Sequence, residues 1–278
     1  RNKTDFALWK FSEEPGVRQQ QWDSPWGIGY PGWHTECCVM SVKHLGEQFD
    51  IHTGGEDHIQ VHHTNEIAQA EAAYKKKPWV KYWLHAGYLT FKGEKVSKSK
   101  GGLYTISDLE KEGFSALDFR YLCLNTLYRK QLNFSLEVLE NAKNAFERLQ
   151  NIIVELKKKD DSKGDTSQYK KHFLDAVSDD LNIPQALALL WEALRDDSLG
   201  SKEKLELAYD FDDVLGLGID SMEEEQIEVT AKLQEMLDKR QQARSDKDFA
   251  TADRIRDEIK EKGFEIKDTP EGPKLEKI

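Results

Sequence analysis

The spacing of apolar and polar positions divides this 278-residue chain into an irregular first part and a largely helical remainder. Ile67, Ala70, Ala73 and Tyr74 recur at helical spacing, so a helix runs through them, and His62 and Glu66, four residues apart, project from one side of its first turn. Upstream, Gln48-Phe-Asp-Ile-His52 reads as a short strand ending at Thr53-Gly-Gly-Glu-Asp57. Before that strand, close Gly and Pro punctuation from Trp22 to Trp33 predicts an ordered, turn-rich surface loop leading into a helix from about Trp33 to Leu45, with Cys37 inside it. After Tyr74 come a basic turn, Lys75-Lys-Lys-Pro78, a strand-like apolar run to Thr90, and a loop from Phe91 to Gly102 in which Lys and Ser alternate.

From Ile106 onward the pattern is nearly all helix. The segments Asp118 to Leu124 and Ser135 to Leu149 carry apolar residues at helical spacing, the second opening with a Ser N-cap. Lys157 to Ser167 is a polar linker, and two or three further helices run from Gln168 to about Leu215, stopped by Gly216-Leu-Gly218. These segments resemble an antiparallel bundle. A last region separates itself by charge: a helix from Glu223 to Ala243, a turn at Ser245 to Asp248, a helix from Phe249 to Lys262, Gly263, and a short strand Phe264-Glu-Ile-Lys267.

Composition narrows the possibilities. Charged residues make up 33% of the chain, and no apolar run approaches the ~20 residues of a membrane span, so a soluble protein with no membrane partner is expected. Three cysteines, two of them adjacent, cannot build a disulfide framework, which points to a reducing cytoplasm and to thiol or metal chemistry. With 40 Lys+Arg against 51 Asp+Glu, a net charge of −11, the chain is no bulk polyelectrolyte binder of nucleic acid. Any RNA contact must come from local basic patches, and Arg240, Arg244, Lys247 and Arg254 would share one face if the turn between the last two helices aligns them. A run of charges of this kind also fits an ordinary solvated face.

Two stretches carry candidate chemistry. Cys37 could join His62 and Glu66 in a Cys/His/Glu set, because zinc accepts sulfur, nitrogen and carboxylate oxygen and usually takes four donors. The same His-x-x-x-Glu pair also fits a surface pair or a helix cap. A strand, a glycine turn, an acid and a helix in that order form the arrangement at which doubly wound α/β sheets bind ligands, although Gly-Gly-x-Asp alone is a weak signal. The loop Lys95-Val-Ser-Lys-Ser99 offers several phosphate donors; a solvated hairpin would look similar.

Taken together, Asp5 to Lys10, Trp22 to Gly27, Pro31 to Cys37, Asp50 to Asp57, His62 to Gln69, Lys95 to Ser99 and Lys247 to Arg256 closely resemble the cysteinyl-tRNA synthetases, class I aminoacyl-tRNA synthetases, over essentially the whole chain. The resemblance implies an α/β fold: the second half of a class I Rossmann-like catalytic domain over residues 1–112, an α-helical bundle over 113–222 and a small α+β anticodon-recognition domain over 223–278. It implies ATP-dependent formation of cysteinyl-adenylate and transfer of cysteine to tRNA(Cys) by a cytoplasmic monomer. Cys37, His62 and Glu66 would be three of four ligands to one Zn2+ per chain, which would take the thiolate of the substrate. That answers a selection problem, since shape alone separates near-isosteres by only about a hundredfold, whereas a coordinating thiol is readily deprotonated by the metal. Trp33 and His52 would line the amino-acid pocket. Gly54, Gly55, Asp57 and Lys98 would bind ATP, used with Mg2+, and Asp57 would hold the ribose. Lys95 and Lys98 match the Lys-Met-Ser-Lys-Ser loop that stabilises charge on the leaving pyrophosphate.

Departures from the family pattern sharpen these expectations. Val96 replaces the usual Met of the loop, and Leu275 stands where a Trp often follows Asp268-Thr-Pro-Glu-Gly272. The family's His-Ile-Gly-His motif and fourth zinc ligand, a cysteine, do not occur in these 278 residues. The chain therefore reads as the C-terminal portion of a longer protein, inactive in adenylation by itself. Two alternatives share some of the motifs: an ATP-dependent ligase of cysteine to an amino sugar, and a non-catalytic tRNA-binding paralogue.

Overall fold

A computed structural model describes residues 5–14, 16–91, 94–95, 104–223, 231–260, 263–269 and 272–277. The chain divides into two compact units, Arg1–Met222 and Glu223–Ile278.

The first unit opens with β1 (Trp9–Phe11) and β2 (Gly29–Pro31), paired antiparallel where the residue pattern suggested only a turn-rich loop. Three residues per strand are too few for the alternation that announces a strand. Helix α1 (Trp33–Leu45) follows, then β3 (Phe49–Gly55). Two tight turns, Glu56–His58 and the π-helical Ile59–His63, lead into α2 (Thr64–Tyr74), and β4 (Val80–Ala86) returns parallel to β3. Cys38 from α1, Phe49 from β3, Ala70 from α2, and Trp79 and Val80 form a small buried core, so both helices lean on the parallel pair. The next sheet is made by β5 (Leu89–Phe91), β6 (Glu94–Lys95) and, parallel to β5, β7 (Leu132–Phe134). Strand β7 falls between two stretches of helical periodicity in a region read as nearly all helix, again with only three residues.

Helices α3 (Ile106–Lys111) and α4 (Ala116–Leu124) each begin with a reciprocal capping box, Thr105 with Asp108 and Ser115 with Asp118. Ser135 caps α5 (Leu136–Lys157), whose Leu139, Ala142, Phe146, Leu149, Ile153 and Leu156 make a continuous buried stripe. Around that stripe pack α6 (Ser167–Ser178), α7 (Ile183–Arg195) and α8 (Ser201–Leu215), the last closed by Gly216 in the left-handed conformation. Their shared core is the larger of the two in this unit.

The second unit holds α9 (Ala231–Ser245), α10 (Phe249–Lys260) and the antiparallel pair β8 (Phe264–Thr269) and β9 (Gly272–Lys277), closed over Leu233, Leu237, Ile255, Ile259 and Ile266. The helix expected from Glu223 begins at Ala231 among the described residues, and 224–230 lie outside them. Among the described residues no helix is long and apolar enough to cross a membrane.

Candidate metal centre and active site

The site forms where β3, the two tight turns and α1 meet. A π-helical turn adds a residue to the helical repeat, and here it carries His62 and His63 inward just before α2 takes up regular geometry. One regular turn later Glu66 is fully buried. Its Oε2 accepts a hydrogen bond from His52 Nε2 at 2.9 Å, while its Oε1 lies 3.1 Å from His62 Nε2. That second approach is not a hydrogen bond: Oε1 is buried and has no hydrogen-bond partner among the described residues. Cys37 Sγ from α1 completes a group whose ligand atoms all lie within 4.8 Å of one another.

The protonation states of Glu66 and His62 suit a cation, whereas without a metal Cys37 is held as a thiol. The His52 hydrogen bond and the neighbouring histidine rings hold the Glu66 carboxyl below its ordinary range against the opposing effect of burial. Burial keeps His62 neutral by lowering its pKa. If His62 presents its Nε2 lone pair, its Nδ1 carries the proton and donates to His34 Nδ1 at 2.7 Å, which fixes the tautomer as partners behind metal ligands commonly do. Burial, followed by the Glu66 charge, pushes the Cys37 thiol up to about 11. A buried carboxylate oxygen without a partner, an imidazole lone pair and a thiol aimed at one point fit zinc. Two other triplets converge as closely, His58/His62/His63 and His52/His63/Glu66. The first lacks an anion, and in the second His52 and His63 are engaged with Glu66 and His85.

Aromatic rings wall the centre. Trp33 stacks on His62 with ring centroids 4.0 Å apart and remains 53% exposed. Trp83 stacks on His52 at 4.8 Å, and His63 shares a hydrogen bond with His85 at 2.8 Å. The glycine pair explains itself here. A Cβ on Gly54 would lie 2.5 Å from His63 Cε1 and 2.7 Å from His58 Nδ1, and one on Gly55 would lie 2.5 Å from Asp57 Oδ1. One glycine makes room for the rings; the other lets the Asp57 carboxylate fold back over the end of β3.

Residues 1–144 match the family described as tRNA synthetases class I (C) catalytic domain, and residues 228–272 match the cysteinyl-tRNA ligase anticodon binding domain. The chain belongs to the cysteinyl-tRNA synthetase family. It is 44% identical over 276 residues to cysteine–tRNA ligase 1 of Burkholderia lata, covering 99% of this chain and 58% of that protein. The cysteine–tRNA ligase of Borrelia hermsii is 40% identical over 296 residues, and that of Caldicellulosiruptor saccharolyticus 41% over 294. The chain spans 61% and 62% of those two relatives.

For a cysteinyl-tRNA synthetase chain, the placement of the remaining expected residues is mixed. Cys37, His62 and Glu66 come together, with Trp33 and His52 touching two of them. Asp57 is exposed in the turn beside Gly55. The backbone of Lys95 pairs with Thr90 in β6, and Lys98 lies outside the described residues. In the second unit Arg244, Lys247 and Arg254 are exposed, whereas Arg240 is buried. Arg240 therefore does not share an exposed basic face: it follows Leu233 and Leu237 at helical spacing and falls on the packed side of α9. His34, His58, His63, His85 and Trp83 also belong to the site; His34 and His63 fall inside the family-like segments, whereas His58, His85 and Trp83 lie outside them. For the histidines a further signal in the sequence is their crowding, with six of the chain's eight in this one cluster.

Proposed function

We propose that this chain carries the metal-binding and pyrophosphate-loop portion of a cysteine–tRNA ligase, which activates cysteine with ATP and transfers it to tRNA(Cys). The observation that carries this reading is the buried, unpartnered Glu66 Oε1 facing His62 and Cys37 in a stretch that matches the family. Residues 1–112 would supply the second half of a class I Rossmann-like catalytic domain, 113–222 a bundle toward the tRNA stem, and 223–278 the anticodon reader. The protein would work as a cytoplasmic monomer, using ATP with Mg2+. The anticodon-domain match at 228–272 supports the tRNA ligase over an amino-sugar ligase, which has no use for one.

Cys37, His62 and Glu66 would hold zinc, with His52 and His34 fixing the orientation of Glu66 and His62. Bound zinc would supply a Lewis acid that takes a thiol as thiolate and binds it far more strongly than it binds a serine hydroxyl. Trp33, stacked on His62 and half exposed, would close the amino-acid pocket over the substrate. Asp57, an acceptor at the carboxyl end of β3, would take the ribose hydroxyls of ATP. Lys95 and Lys98 would balance charge as pyrophosphate leaves, so catalysis would rest on positioning and electrostatics. The test is exchange of pyrophosphate into ATP by the full-length protein, with cysteine and with serine. Cysteine-dependent exchange that Cys37→Ala abolishes is expected; exchange supported equally by serine, or unchanged in that variant, would contradict the reading.

A further inference from the structure

On α7 the charges are sorted by direction. Glu192 lines the cleft toward α6, and the Asp196 carboxylate accepts hydrogen bonds from Tyr169 of α6 and from the Ser198 backbone. Trp191 turns the other way and donates its Nε1–H to Tyr121 Oη of α4 at 2.9 Å, which fixes the indole. Two arginines lie against that indole: Arg148 of α5, with Cζ 5.9 Å from the ring centroid, and Arg195 of α7, at 5.1 Å. Both are exposed, and among the described residues neither pairs with a carboxylate. Glu147, beside Arg148 in sequence, lies 4.0 Å from Lys143 instead.

This arrangement is costly as packing alone. Each arginine loses up to ~2 kcal/mol of side-chain freedom when held, and two like charges beside one ring repel one another. Tyr121 does not neutralise them, since burial raises its pKa and keeps the phenol protonated. The last turn of α7 suits a cation at Arg195, but Arg148 sits in the middle of α5 and gains nothing from a helix end. What two exposed guanidiniums on a fixed aromatic ring accept well is phosphate, bidentately, with a planar group able to stack beside it.

We infer that Arg148, Arg195 and Trp191 form a phosphate-binding site for the backbone of the tRNA substrate on the helical part of the first unit, separate from the anticodon-matching unit. In a chain of net charge −11, this is the kind of local basic patch that RNA contact requires. The inference rests on the tRNA ligase reading above.

The test is fluorescence anisotropy of a labelled tRNA(Cys) transcript with the full-length protein and its Arg148→Gln, Arg195→Gln and doubly substituted variants, read against salt concentration. With neither guanidinium left to meet a phosphate, the double variant should bind about tenfold more weakly, and its log–log salt slope should fall by about 2. Thermal midpoints should stay put, and Arg148→Lys with Arg195→Lys should restore the salt slope but only part of the affinity, because an ammonium does not hold phosphate bidentately. If the double variant unfolds early, the single variants carry the comparison, each with a slope change of about 1. Unchanged affinity and slope would overturn the inference and leave the ligase reading standing. Poly-glutamate binding as tightly as tRNA would overturn it in favour of an acidic protein partner. Absence of tRNA binding by the unsubstituted full-length protein would overturn both.

Discussion

At the scale of single residues, the centre depends on one carboxylate whose two oxygens have different tasks. Glu66 Oε2 is taken by His52, and Oε1 is left facing His62 and Cys37. Leaving a buried carboxylate oxygen without a donor costs on the order of 1–3 kcal/mol, so the arrangement is explained if a cation meets it. His34 acts behind His62 through the 2.7 Å contact between their Nδ1 atoms. His34→Ala should therefore weaken zinc binding about 10–100-fold without abolishing it, measured by competition with a chromophoric chelator; unchanged affinity would remove His34 from the account. Gly54→Ala should destabilise the first unit by roughly 1–3 kcal/mol, because the new methyl overlaps the His63 ring, and it should release metal in the same titration. A thermal midpoint unmoved by this substitution would contradict the packing described. Of the residues in the centre, His62 and Glu66 are legible from their spacing, and Cys37 from its chemistry. His34, Trp83 and His85 are not, because the β3–β4 register and the rotation of α1 bring them in, and neither is a local property of the chain. Arg240 misleads for a different reason: counting charges conceals that it continues the Leu233 and Leu237 stripe.

At the scale of elements, polar caps decide where helices begin, and they respond to acid. The Asp108 carboxylate accepts from the Thr105 side chain and backbone and bonds Lys111, which holds its pKa at about 2 instead of 3.8. The folded chain binds this proton less readily than the unfolded chain does, so the cap's stabilisation is complete above about pH 4 and disappears as pH falls through about 2. Asp108→Asn should lower the melting midpoint at neutral pH and flatten its fall over that acid window. An acid profile identical to that of the unsubstituted chain would show that the cap contributes nothing. Long periodic elements such as α5, with its Ser135 cap, are legible because one face repeats over 22 residues. The strands β1, β2 and β7 are not, since three residues carry no period and their pairing is fixed by partners far away in sequence. The π-helical turn is equally hidden, although it sets His62 and Glu66 on one side as the four-residue spacing suggested.

At the scale of the whole molecule, an acidic chain that bound RNA as proposed would have to confine the contacts to a few cations, and exposed ones lie in each unit: Arg148 and Arg195 in the first, Arg244, Lys247 and Arg254 in the second. The division at Met222 and Glu223 separates the Cys37/His62/Glu66 cluster from the segment that matches the anticodon binding domain, so the proposed zinc binding and anticodon contact would belong to different units. In the first unit Cys37, His62 and Glu66 are proposed to hold a metal, and the measurement that tests this most directly is the metal content, by mass spectrometry of the purified full-length protein and of its Cys37→Ala variant. The account predicts about one zinc per chain, as one tetrahedral site implies, with most of it lost in the variant. Protein that purifies without zinc, or a variant that keeps all of it, would reduce the three residues to a helix-start ion pair beside a buried thiol.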